Sequence, residues 1–147
     1  MKKDSRLALI AHDAKKDDMV ALVRAHREKL ARLNLVATKG TGQIVKARIG
    51  VEVTLLEEGP YGGDQQVGAL VASNELGAVI FLRDPLNAQA HEPDISALLR
   101  ICDVHNVPLA TNMATAEAIL NSLSDDADEL GNHQLIVQLP EEKGLVC

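Results

Sequence analysis

Short apolar runs alternate with amphipathic stretches along this chain, and the alternation predicts strands joined by helices. Arg6-Leu-Ala-Leu-Ile-Ala-His12 reads as a buried strand, followed by strands at Leu35 to Thr38, Val51 to Leu56, Ala78 to Leu82 and Val107 to Thr111. Apolar positions at helical spacing, Met19, Val23 and Leu30 among them, predict one helix from about Asp17 to Arg32. Further helices are predicted over Gly42 to Ile49, from Asp64 until Gly77, from Asp94 to about His105, and over Ala114 to Leu123. Leu135 to Leu139 reads as a sixth strand at a sheet edge. Strands that alternate with helices imply right-handed βαβ units, so the expectation is an α/β domain spanning residues 1–147, with a parallel sheet and helices on both faces.

That architecture gives the polar residues a common address, because ligands of open α/β sheets bind beyond the carboxyl ends of the strands. The segments just after the strands are His12-Asp13, Thr38-Lys-Gly-Thr-Gly42, Glu58-Gly-Pro-Tyr-Gly-Gly-Asp64, Asp84 to Asp94, and Thr111-Asn112. Nearly every unusual polar residue of the chain is predicted to gather on one edge.

Composition narrows the possibilities. Apolar residues make up 46% and charged residues 24%, as in an ordinary globular domain, and a core with one Phe, one Tyr and no Trp must be aliphatic. The formal charge of −6 and the lack of aromatic platforms argue against nucleic-acid binding. Two cysteines, Cys102 and Cys147, make no disulfide framework, and Cys102 shares a helical face with Ile95, Leu98 and Leu99. No apolar stretch of membrane-spanning length and no targeting segment is apparent, so a cytoplasmic location is the expectation.

The chemistry follows from residue types. Thr38, Thr41 and the amides around Gly40 and Gly42 stand where a strand gives way to a helix N-terminus, a place that suits an anion, and Lys16 could add a charge. Neither a P-loop nor a dinucleotide fingerprint is present, and capping with a tight turn would explain the same residues. Asp64 follows Gly62-Gly63, which would let backbone pass close to a ligand; an N-cap is its plainer reading. His91-Glu-Pro-Asp94 sets an imidazole three residues from a carboxylate. A carboxylate base together with a neutral imidazole is what enolisation requires. His12 could donate to a substrate oxygen, Asp13 could orient its neighbours, and Asp84 reads as a supporting carboxylate. His26 reads as a satisfied core histidine. No zinc-type spacing is present, and no metal site is predicted.

These residues resemble a known family. Ile10-Ala-His-Asp13, Gly59-Pro-Tyr-Gly-Gly-Asp-Gln-Gln-Val-Gly68, Asp84-Pro-Leu-Asn-Ala88, His91-Glu-Pro-Asp-Ile-Ser-Ala-Leu-Leu-Arg100 and Val107-Pro-Leu-Ala-Thr-Asn112 are similar to methylglyoxal synthase. The resemblance implies a flavodoxin-like sheet, a cytoplasmic homohexamer, and conversion of dihydroxyacetone phosphate to methylglyoxal and phosphate without metal or organic cofactor. It implies that Asp64 is the base and that His91 polarises or protonates the enediolate oxygens, with Asp94 beside it. By the same resemblance His12, Lys16, Thr38, Lys39, Gly40, Thr41, Glu58 and Gly59 hold the substrate and its phosphate.

Three positions depart from the family pattern. The turn usually reads Ala-Thr-Gly-Thr-Thr-Gly, and here it is Ala37-Thr-Lys-Gly-Thr-Gly42; Glu58 replaces a serine; and the tail from Pro140 to Cys147 lacks the usual aromatic residue and arginine. A carboxylate beside phosphate should repel it by roughly several tenths to a few kcal/mol, and Lys39 is expected to offset that charge. The catalytic set is thus expected intact and the phosphate side altered. A non-catalytic module that binds a phosphorylated metabolite is the rival reading.

Overall fold

The computed structural model describes residues 6–123. The expected sixth strand, Leu135 to Leu139, and the tail from Pro140 lie outside those residues. Five strands, β1 (Arg6–Ala11), β2 (Asn34–Ala37), β3 (Val53–Leu55), β4 (Ala78–Leu82) and β5 (Leu109–Ala110), form one parallel sheet in the order β3-β2-β1-β4-β5. Six helices connect and flank them: α1 (Lys16–Ala25), α2 (Arg27–Ala31), α3 (Lys39–Ile49), α4 (Gly63–Ala72), α5 (Glu92–Val104) and α6 (Met113–Asn121). This is the parallel α/β architecture that the alternation predicts, and the flavodoxin-like class that the resemblance implies.

Period-two alternation along the strands sorts the core into two layers. Leu7, Leu9 and Ala11 of β1 join Leu35, Ala37, Ile80 and Leu82 against Met19, Leu22 and Val23 of α1, Val45 of α3 and Leu120 of α6. Ala8 and Ile10, one residue out of phase, join Val36, Val79 and Phe81 against Val67 and Val71 of α4 and Ile95, Leu98 and Cys102 of α5. The four consecutive apolar residues Leu7–Ile10 are therefore all buried, as a central parallel strand requires. Phe81, wholly buried, is the one large ring in the second layer; its truncation to Ala should cost about 3–5 kcal/mol.

The predicted long helix over 17–32 is two helices. His26 leaves the helical region at φ −113°, ψ 26°, and its Nε2 lies 2.7 Å from Glu117 Oε1 on α6. A tertiary partner thus sets the break, and periodicity along one segment cannot report it. α3 and α5 begin earlier than expected, at Lys39 and Glu92, and Pro93 fits the first turn of α5, where no intrahelical N–H is required. β3 and β5 are shorter than their apolar runs.

Register brings the strand ends level. Ala11 lies opposite Leu82, Leu9 opposite Ala37, and Ala37 opposite Leu55. The chain after β1 therefore emerges beside that after β4 on one side and that after β2 on the other. Strand order reverses between β1 and β4, the place where an open parallel sheet leaves a crevice.

Candidate active site

A cavity of about 260 Å³ opens at this carboxyl edge, lined by His12, Asp13, Lys16, Thr38, Gly40, Thr41, Glu58, Gly59, Asp64, Asp84, Gln89 and His91, among others. Its size suits a small molecule, and its lining comes from the segments that follow β1, β2, β3 and β4 together with the first turn of α4.

Asp64 is not an N-cap. α4 starts one residue earlier, its cap position is Gly62 at φ 112°, and no side chain caps the helix. The Asp64 carboxylate is 1% exposed, and neither oxygen has a hydrogen-bond partner among the described residues. His91 Nε2 lies 3.4 Å from Oδ2, near enough to attract the carboxylate but not bonded to it. Burial raises the Asp64 pKa above its usual value, the His91 charge pulls it down, and Asp94 pushes it up again. An unsatisfied carboxylate buried in this way costs stability, and such groups cluster at functional sites.

Two glycines make the arrangement possible. A Cβ on Gly63 would stand 2.2 Å from the Glu57 carbonyl oxygen and 2.8 Å from Thr38 Cγ2, so this backbone passage admits no side chain. A Cβ on Gly59 would meet Asp64 Oδ1 at 3.2 Å and His91 Nε2 at 3.6 Å, inside the space between the pair and the cavity. Gly62-Gly63 is expected to let backbone pass close to a ligand; Gly63 instead passes close to the Glu57 carbonyl, and Gly62 supplies the left-handed turn.

His12 is 8% exposed and packs edge-on against Phe81 and against the His91 ring. The backbone N–H of Asp84 donates to His12 Nδ1 at 2.9 Å. In the neutral ring the proton therefore sits on Nε2, which is buried and has no partner among the described residues. Burial, followed by the neighbouring His91 and Arg83 charges, lowers the His12 pKa and favours that neutral donor. The Asp84 carboxylate turns away to accept from Leu86 N–H and Asn87 Nδ2, which hold it below the usual carboxylate range.

The other end of the cavity is built for an anion. Lys39 N–H donates to the Glu57 carbonyl, which leaves the amides of Gly40 and Thr41 in the first turn of α3 without an intrahelical acceptor. Thr41 Oγ1 accepts from Ala11 N–H at 3.0 Å and donates to Ala11 O at 3.3 Å, and Thr38 Oγ1 donates to it at 3.3 Å. The Thr41 hydroxyl thus staples α3 to β1, and its amide, not its side chain, is free for a ligand. Lys16 Nζ reaches the cavity with Asp13 Oδ1 2.5 Å away, an ion pair that holds the exposed Asp13 carboxyl below its usual range.

The sequence-predicted residues divide cleanly. His12, Asp13, Lys16, Thr38, Gly40, Thr41, Glu58, Gly59, Asp64, Asp84 and His91 meet in the cavity. Lys39 and Asp94 do not line it. Lys39 is exposed, and Asp94, on the first turn of α5, accepts from Gln65 Nε2 at 3.0 Å. The cation near Glu58 is Lys16 instead: a Cβ placed on Gly40 would lie 3.3 Å from Glu58 Oε1 and 3.5 Å from Lys16 Nζ. Gln89 joins the lining unforeseen, although it sits in the long connection that already drew notice. Among the described residues no three His, Cys, Asp or Glu side chains are grouped to hold a metal.

The chain is similar to known proteins along most of its length. Residues 18–111 match the family model of the MGS-like domain. A methylglyoxal synthase of Carboxydothermus hydrogenoformans is 58% identical over 119 residues, covering 81% of this chain and 98% of that protein. One of Bacillus subtilis is 52% identical over 124 residues, covering 84% and 90%. The crystal structure of methylglyoxal synthase from Elizabethkingia anophelis superposes with a TM-score of 0.77 at 40% identity, covering 96% of each chain. With the predicted motifs, the doubly wound sheet and the buried Asp64–His91 pair all in place, the chain belongs to the methylglyoxal synthase family of lyases.

Proposed function

We propose that this cavity converts dihydroxyacetone phosphate to methylglyoxal and inorganic phosphate. The buried, unpartnered Asp64 carboxylate beside His91 and Gly59 is the observation that carries the reading. Asp64 takes a proton from the hydroxymethyl carbon, and the electron pair left behind forms an enediolate. The Nε2–H of His12 and the ring of His91 stabilise the oxygen that gains charge, which such preorganised donors do for roughly 3–4 kcal/mol each. The hydroxymethyl O–H passes its proton through the His91 ring to the enediolate oxygen; its own oxygen then closes to an aldehyde, the double bond moves one position along, and the carbon–oxygen bond to phosphate breaks. The enol that remains gains a proton on its terminal carbon and gives up the one on its oxygen to become methylglyoxal, while the departing phosphate takes the proton that Asp64 removed.

In this reading the amides of Gly40 and Thr41, with Lys16, hold the phosphoryl group, and Asp13 positions Lys16. Asp94 acts at a distance, through its charge on Asp64, and Lys39 contributes to the field rather than to contact. The chain works as one domain in a homohexamer in the cytoplasm, without a metal or organic cofactor. The exposed apolar side chains Leu86, Tyr61 and Val104 support such subunit contacts, and no described helix is long and apolar enough to cross a membrane.

The test is to supply purified protein with dihydroxyacetone phosphate and measure both products. Equal amounts of methylglyoxal and phosphate are expected. Phosphate binding with no methylglyoxal at high protein concentration would favour a non-catalytic module instead.

A further inference from the structure

We propose that Glu58 opposes phosphate in the anion end of the cavity and sets a low affinity for it, and that Gly40 is the residue that admits Glu58 there. The inference rests on the reading that this end receives the phosphoryl group. Its observations are steric and electrostatic. Glu58 is half-buried at the start of the 3-10 turn Gly59–Tyr61 and lines the cavity. Its Oε1 and the Cε of Lys16 each lie 3.3 Å from the place a Gly40 Cβ would occupy. Any side chain at position 40 would press on both heads; glycine leaves that space to them.

Among the described residues, Lys16 brings the one lysine or arginine head to the lining. The exposed carboxylate of Asp13 already neutralises it, with Oδ1 2.5 Å from Nζ. Glu58 adds a second carboxylate on the cavity side, within the shell a bound phosphate would share. Like charges at such separations, incompletely screened in a recess, weaken anion binding substantially. The remaining attraction comes from the Gly40 and Thr41 amides and the α3 N-terminus. A site balanced in this way releases inorganic phosphate readily after each elimination, so product inhibition is weak.

The experiment compares wild type, Glu58→Gln and Glu58→Asp by calorimetric titration with inorganic phosphate at constant pH and ionic strength, with thermal melts to confirm folding. Glu58→Gln keeps the shape and removes the charge, and should bind phosphate about tenfold tighter. Glu58→Asp keeps the charge and should stay near wild type. Equal or weaker phosphate binding by a folded Glu58→Gln would overturn the proposal. The methylglyoxal assay on wild type reports separately on the catalytic reading: phosphate affinity that rises in Glu58→Gln, with no methylglyoxal from wild type, would retain this inference and discard that one.

Discussion

The main-chain N–H of Asp84 donates to Nδ1 of His12 at 2.9 Å, and this one bond decides which edge of the imidazole carries the proton. The ring must present Nε2–H to the cavity while it is neutral, and burial keeps it neutral by lowering its pKa. Nitrogen NMR at neutral pH should therefore show His12 with a protonated Nε2 and a bare Nδ1. His12→Ala should lower kcat/KM by about 10²–10³, the usual cost of one oxyanion donor. An Nδ1-protonated ring would remove His12 from the donor role.

Asp64 trades stability for chemistry. Its folded-state pKa is raised by burial, so the fold penalises the ionised form. That penalty is fully present above the folded pKa and is relieved as acidification protonates the group toward its unfolded value. Asp64→Asn removes the buried charge and should raise Tm by about 2–4 °C, if the gain is near 1 kcal/mol, while activity falls. A lower Tm would mean that the carboxylate is satisfied by contacts it does not have here.

The same shift fixes the sign of the acid limb. Catalysis needs Asp64 ionised, so kcat/KM should fall on acidification with an apparent pKa above the ordinary carboxylate value of 3.8. A profile flat down to that ordinary value would contradict a buried base.

Gly63 and Gly59 should fail in different ways. A Cβ on Gly63 meets a backbone carbonyl at 2.2 Å, so Gly63→Ala should cost about 3 kcal/mol or disrupt folding. The nearest atoms to a Cβ on Gly59 are those of the Asp64 and His91 side chains, at 3.2 Å and more. Gly59→Ala should keep a native circular dichroism spectrum and lose about 10–100-fold in kcat/KM, because small displacements of reacting groups are costly.

Most of the fold was legible because its signals are local. β1 and β4 are continuous apolar runs, and α4 begins at Gly62-Gly63, although it ends at Ala72 rather than running to Gly77 as expected. The break at His26 was not legible, since it depends on Glu117, 91 residues away. Eleven predicted site residues converge on the cavity because strand ends address them to one edge. Spacing alone could not separate Asp64, aimed inward and unpartnered, from Asp94, bonded to Gln65. Nor could it reveal that the Thr41 hydroxyl is consumed by Ala11, or that Lys16 rather than Lys39 stands near Glu58, because both facts depend on how α3 packs on β1.

The central claim is that Asp64 removes the carbon-bound proton. The most direct measurement is kcat/KM for methylglyoxal formation from dihydroxyacetone phosphate by folded Asp64→Asn beside wild type. A loss of at least about 10³-fold is expected, the scale of a positioned general base. Activity within tenfold of wild type in that variant would contradict it.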